Sequence, residues 1–306
     1  MNPLRGILLK IASVCVFVTM ASLIKATADH VPPGQAVFVR SLFALPIIMG
    51  WLAWRHELAT GLRTKNPMGH VWRGLIGTTA MGLMFTGLGL LPLPEVTAIG
   101  YAAPILVVIF AAMFLGEQVR AFRLSMVALG LAGVLVVLSP RLQLNADTAD
   151  TAQTLGAVVV LLAATCAALA QVFVRKMVQT ETTAAIVFYF SVTATLLSLL
   201  TLPWGWVMPA GRELAMLIGA GLLGGIGQIL LTSSYRHADA SLIAPFEYVS
   251  ILLAIGIGYT VFGEVPTGAM LTGAGMVTLA GVLIIWRERQ LGMERARQRK
   301  ATSNQP

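Results

Sequence analysis

Ten apolar runs, each near the length that crosses a bilayer, take up almost the whole chain: residues 7–26, 35–54, 71–91, 95–115, 122–139, 154–174, 184–204, 213–235, 240–262 and 268–286. A spanning helix needs about 20 predominantly apolar residues, so each run fits one crossing and no length remains for a soluble domain. Charged residues are 11% of the 306, where a soluble domain carries roughly a quarter. Connectors such as Pro92-Leu93-Pro94 and Arg236 to Asp239 are so short that the helices they join must be antiparallel neighbours. The reading is an all-α integral membrane protein of ten transmembrane helices.

The formal net charge of +8 raises the question of a nucleic-acid partner. The basic residues lie between and after the apolar runs, with no basic groove interleaved with aromatics, so a membrane-facing surface explains them and nucleic acid is excluded. Positive loops stay on the cytoplasmic side. With the N-terminus inside, 17 of the 21 Lys and Arg residues fall in cytoplasmic segments, Arg141 and Arg212 fall on the far side, and Lys25 and Arg40 lie near or within helices. The expected location is a bacterial inner membrane, with both termini cytoplasmic and an even number of crossings. Trp51, Trp54, Trp72, Trp204, Trp206 and Trp286 all fall at predicted helix ends, as an interfacial aromatic belt requires. Arg5 and Lys10 before the first run resemble a leader, but no small-residue cleavage site precedes a polar domain, so the run reads as an uncleaved first helix.

The chain repeats itself. Leu131-Ala132-Gly133-Val134-Leu135 recurs as Leu279-Ala280-Gly281-Val282-Leu283, and Gly116-Glu117 recurs as Gly263-Glu264, at offsets of 148 and 147. The second offset pairs Tyr101 with Tyr248, Leu106 with Leu253 and Val119 with Pro266. The halves are residues 1–140 (helices one to five) and 154–286 (helices six to ten), joined by a periplasmic connector at 141–153 and followed by a basic cytoplasmic tail at 287–306. An odd number of crossings per half makes the second copy enter from the opposite face. The result is two inverted five-helix repeats, an architecture that places substrate between the halves near the midplane.

Ten helices in two such repeats, each with a Gly-Glu step followed by an apolar, Gly-rich helix, resemble the EamA-type drug/metabolite transporters over essentially the whole chain. The stretches from Met1 to Ile7, Leu91 to Tyr101 and Ser234 to Ser241 are similar to the bacterial riboflavin-transporter branch. That resemblance implies a secondary transporter, most like riboflavin uptake, with S-adenosylmethionine, amino acids or drugs as alternative substrates carried on similar frames.

Polar residues inside spans are the candidate substrate contacts, because each is costly there unless it faces a cavity or a partner. Glu247, after Pro245 in helix nine, reads as a substrate acceptor or proton-coupling carboxylate, or else as the partner of Arg236 or Lys176. Pro104 and Pro245 each free a carbonyl one turn earlier and mark helices four and nine as cavity walls. Tyr101 and Tyr248 offer rings to a planar ligand or anchor at the interface. Arg40 in helix two could meet a carboxylate or phosphate, and Lys25 is the shallower alternative; either could instead snorkel to headgroups. Gln171 and Gln228 offer amides, to substrate or to neighbouring helices. Glu95 opens helix four, where an acid suits the helix dipole. The spacing Gly221-Leu222-Leu223-Gly224-Gly225 allows close helix packing and lacks the Lys and Ser/Thr of a phosphate loop.

Cys15 and Cys166 cannot build a metal site, and His30, His56, His70 and His237 are expected unclustered in loops, so no metal or cofactor is expected. No nucleophile elbow, zinc-helix motif, nucleotide loop or paired-acid arrangement is present. An enzyme is therefore not expected. The partners implied are a small-molecule substrate and the lipid bilayer, and the residues give no oligomeric state.

Overall fold

The computed structural model describes residues 3–115, 121–140, 151–177, 180–237 and 244–303. Gly116, Glu117, Val119, Arg120, Arg141, most of the 141–153 connector, Asp239 to Ser241 and the last three tail residues lie outside them. Among the described residues every predicted crossing is helical. The elements are α1 (Pro3–Lys25), α2 (Pro33–Trp54), the short α3 (Leu58–Gly61), α4 (Pro67–Leu90), α5 (Leu93–Gly100), α6 (Ala102–Leu115), α7 (Ala121–Leu138), α8 (Thr151–Met177), α9 (Thr183–Ser198), α10 (Gly211–His237), α11 (Val249–Phe262) and α12 (Gly268–Ser303). Short 3-10 segments, Leu199–Trp204 and Ala244–Tyr248, extend α9 and precede α11.

Local chemistry sets the helix starts. Pro33 and Pro67 sit in the first turns of α2 and α4, where a missing N–H costs nothing. Asn66 accepts from the Gly69 N–H at 2.9 Å and Thr182 from the Ala185 N–H at 3.1 Å, each satisfying a donor the helix leaves orphaned. Five helices, Leu4–Lys25, Pro33–Trp54, Thr151–Val174, Thr183–Trp204 and Gly211–Leu231, are long and apolar enough to cross a membrane. Shorter apolar helices cover Leu93–Val107, Leu124–Leu138, Phe246–Phe262 and Gly268–Ile284. α4 has the length, but His70 and Arg73 near its start dilute its apolar character.

Two crossings are interrupted, beside Pro104 and Pro245. Crossing four divides at Tyr101, because Pro104 has no N–H for the Gly100 carbonyl. Crossing nine opens with the 3-10 turn Ala244–Tyr248 and becomes α-helical only at Val249. The discontinuities therefore fall at Tyr101 and Tyr248, the repeat-related pair. The connector also ends early, since α8 is already helical at Thr151.

The packing keeps its pattern when the two halves are exchanged. α1 packs on α10 as α8 packs on α4; α10 packs on α2 as α4 packs on α9; α7 packs on α12 and α2 on α9, each pair mapping onto itself. α7 and α12 run antiparallel, with Gly133 against Gly273 and Gly130 facing Ala280, as the inverted repeat demands. Small residues fill the interior: Ala98, Ala102, Ala164, Ala168, Ala220 and Ala254 are fully buried, whereas Phe114, Leu200 and Leu252 point outward. Such close-packed small residues are what holds helices together where lipid is as apolar as the side chains. Trp54, Trp72, Trp204 and Trp286 are exposed at helix ends, while Trp51 stacks under Arg55 and half-buried Trp206 packs on Phe38.

Candidate functional site

The repeat-related tyrosines meet. The rings of Tyr101 and Tyr248 pack edge to face with centroids 5.1 Å apart, and the Tyr101 hydroxyl lies 2.6 Å from Ser250 Oγ, which itself donates to the Glu247 carbonyl at 2.7 Å. Tyr101 is buried, and the Tyr248 hydroxyl abuts Gly281, where no Cβ could fit. The two rings engage each other, and Tyr248 is half-buried. Half-buried Pro104 lies beside this junction, one turn into α6, and Pro245 belongs to the 3-10 turn that leads to Tyr248.

Glu247 sits in that same turn rather than inside an α-helix, and its side chain is 47% exposed. Among the described residues its ion-pair partner is Lys10 of α1 at 3.0 Å rather than Lys176; the side chain of Arg236 lies outside what the structure describes. A second cross-repeat pair closes the other end of the same two helices: Lys25 Nζ lies 2.9 Å from Glu264 Oε1. Gly263 ends α11 in the left-handed conformation, φ 66°, which turns the chain so that Glu264 Oε2 accepts from the Leu93 N–H at 2.9 Å. Lys25 donates to the carbonyls of Leu88 and Leu91 at 3.2 and 2.7 Å. One ion pair thus caps the last carbonyls of α4 and the first N–H of α5. The structural use of a Gly-Glu step is visible at this end; its counterpart, Gly116-Glu117, lies outside the described residues.

Arg40 is 2% exposed, and neither Nε nor Nη1 has a hydrogen-bond partner among the described residues. Its guanidinium lies against Gly224, the middle residue of α10, where a Cβ would come within 2.7 Å of Nε. The glycines beside it, Gly221 and Gly225, admit Phe43 and Ile47 of α2, so this cluster packs helices as expected and also makes room for a buried cation. Arg73, one of the 17 basic residues counted to the cytoplasmic segments, is the second such group. Its Nε and Nη1 are buried and unpartnered among the described residues, its guanidinium lies 4.0 Å over the Phe190 ring, and it reaches one turn deeper to Gly77.

Gln171 is exposed on α8 and Gln228 half-buried on α10; among the described residues neither amide makes a hydrogen bond. Glu95 is buried in the first turn of α5. His70 and His237 belong to α4 and α10 rather than to loops. His70 is buried, stacks on Tyr189 with centroids 4.7 Å apart, and places Nε2 3.4 Å from Glu181. Burial favours protonation of Glu181, but the N–H groups of Lys65 and Asn66, the His70 ring and Thr64 outweigh it and hold the carboxyl below its usual range. An apolar crevice of about 210 Å³ between the end of α1, the start of α2 and the end of α4 holds none of the predicted site residues. Among the described residues no three His, Cys, Asp or Glu side chains converge as metal ligands.

Known proteins agree with this architecture. The chain is similar to the pseudopaline exporter of Pseudomonas aeruginosa, 28% identical over 91% of this chain and 95% of that protein. It is 26% identical to an S-adenosylmethionine uptake transporter of Rickettsia felis over 84% of each, and 28% identical to a riboflavin transporter of Rhizobium johnstonii over 81% of this chain and 78% of that one. A solved crystal structure superposes with a TM-score of 0.67 over 94% of this chain and 98% of its own, at 20% identity, and so shares the fold. The model of the EamA-like transporter family matches residues 4–139 and 154–287, nearly the whole length, and the chain belongs to that family.

Proposed function

We propose that this protein is a secondary transporter that moves a small organic metabolite across a bacterial inner membrane by alternating access, with both termini in the cytoplasm. The observation that carries the reading is the meeting of two discontinuous helices, one from each repeat, at Tyr101 and Tyr248. Breaks of this kind are tolerated where they adjoin a path, and inverted halves rock about such a junction. The ion pairs Lys10–Glu247 and Lys25–Glu264 then act as latches at opposite ends of α1 and α11. The repeat units are residues 1–140 and 154–286.

Riboflavin uptake is one specific form of this function, supported by the likeness to riboflavin transporters. S-adenosylmethionine uptake and pseudopaline export rest on relatives of comparable identity. Engagement of both tyrosine rings with each other weakens the stacking argument for a flavin. The test is transport of a panel of labelled small metabolites, riboflavin, S-adenosylmethionine and citrate among them, inward and outward, in vesicles with and without the protein, together with reporter fusions at both termini. Protein-dependent flux of at least one of them and cytoplasmic signals at both ends are the expected results. Termini on opposite faces would overturn the architecture, and flux unaffected by the protein for every compound tried would overturn the transport reading.

A further inference from the structure

The buried polar atoms that lack partners among the described residues all come from helices of the first repeat. All eight belong to α1, α2 and α4: Ser13, Arg40, Ser41, His70, Arg73 and Thr78. Two of these side chains are guanidiniums, groups that stay charged in proteins. Burying one unpaired charge is costly by several kcal/mol, even after relaxation. Cations inside spans are therefore paired with acids or aimed at what the pathway carries. Four acids near the spans are already engaged: Glu247 by Lys10, Glu264 by Lys25 and Leu93, Glu181 by His70 and two backbone N–H groups, and Glu213 by His30.

The two arginines are also placed from different directions. Arg40 lies about seven residues into α2, roughly 10 Å from its start, with its head at the middle of α10. Arg73 enters from the opposite end of the bundle, since α4 runs antiparallel to α2, and its head extends inward to the level of Gly77. Gly224 and Gly77 are the positions whose missing side chains leave these heads space. Each guanidinium presents N–H groups suited to bidentate recognition of a planar oxyanion.

We infer that Arg40 and Arg73 form a substrate subsite for a small organic acid carrying about two negative charges, held by carboxylate groups between α2, α4, α9 and α10. This rests on the transporter reading and narrows it: neutral flavin and cationic S-adenosylmethionine fit the pair poorly.

Thermal unfolding of the purified protein in detergent tests the assignment, with malate and citrate as polycarboxylates, phosphate and sulfate as bare oxyanions, and riboflavin and S-adenosylmethionine as neutral and cationic probes. Malate or citrate should raise the Tm by several degrees, and Arg40→Gln and Arg73→Gln should abolish that rise, with Arg40→Lys intermediate. Because Arg40 has no acid partner among the described residues, R40Q should unfold at or above the wild-type temperature without ligand, whereas a structural arginine would give a lower one; R73Q also loses the Phe190 ring contact, so its unliganded temperature does not discriminate. Gly224→Ala, which crowds the Arg40 head, should weaken the response without removing a charge. Stabilisation by riboflavin or S-adenosylmethionine that survives R40Q and R73Q overturns the inference, as does stabilisation by phosphate and sulfate without malate or citrate, or no response to any anion. Riboflavin flux at the wild-type rate in R40Q and R73Q would remove the anion subsite and leave the transporter reading intact.

Discussion

Tyr101 and Tyr248, 147 positions apart and equivalent in the two repeats, touch each other edge to face at 5.1 Å where crossings four and nine are interrupted. Contact between equivalent residues of two inverted units places them on or beside the pseudo-two-fold axis that relates the units. Movement of one half against the other displaces that point least, so the aromatic pair suits a pivot better than a ligand platform.

Tyr101→Phe keeps the ring pair and removes the hydroxyl that lies 2.6 Å from Ser250 Oγ. Ser250 still donates to the Glu247 carbonyl, so no donor is stranded, and the expected loss is about 1 kcal/mol. The fall in unfolding temperature should be small. Tyr248→Ala also removes the edge-to-face contact, worth about 0.5–1.5 kcal/mol beyond packing, and should lower the temperature further.

Gly281 lies against the Tyr248 hydroxyl so closely that an added methyl overlaps it. Gly281→Ala should therefore destabilise the protein, by about 1–3 kcal/mol for overpacking of this kind. The same change made in a Tyr248→Ala background should cost much less, since the clashing ring is gone. Additive costs in the double variant would show that the two residues do not share this contact.

Much of this was legible in the residues. Hydropathy alone located the crossings, because their length is fixed by the bilayer and not by partners elsewhere in the chain. The repeat offset paired Tyr101 with Tyr248 before any geometry was known. It did not show that the paired rings would occupy each other, since an offset states equivalence and not proximity. Arg40 was recognisable by its depth in an apolar run, whereas Arg73, near the start of α4, resembled a cytoplasmic loop charge. Its inward reach depends on Gly77 and Phe190, and Phe190 lies on another helix. The partners of Glu247 and Glu264 were hidden for the same reason: Lys10 and Lys25 are more than two hundred positions away, and no local pattern encodes contacts at that range.

Glu181 joins the loop before α4 to the start of α9 by accepting from the Lys65 and Asn66 N–H groups at 2.8 and 2.9 Å. Its folded carboxyl titrates below the unfolded value of about 4.3. The stabilisation is therefore complete above that value and is lost as pH falls through the lower, folded one. Glu181→Gln should lower the unfolding temperature near neutrality and flatten its dependence on pH below about 4. An unchanged acid limb in the variant would show that this carboxylate does not control acid sensitivity.

The Lys25–Glu264 pair makes a sharper prediction because both side chains are largely buried, at 13% and 15% exposure. Replacing one partner leaves the other charge stranded, and such a break costs about 3–5 kcal/mol in a buried site. Lys25→Met also strips the Leu88 and Leu91 carbonyls of their donor, while Glu264→Gln keeps an acceptor for the Leu93 N–H but leaves the ammonium without its counter-ion. Lys25→Met should thus be the more damaging single change. The double variant Lys25→Met/Glu264→Gln should recover part of the loss, since neither charge is then unpaired, giving a coupling energy of at least about 1 kcal/mol in a double-mutant cycle. The four unfolding temperatures in detergent, of the wild type, the two single variants and the double, read this directly, and a cycle that closes additively would show that the two charges are held independently. If the pair is a latch released during each transport cycle, the double variant should also change the rate of flux relative to binding, because it alters the closed state without touching Arg40 or Arg73.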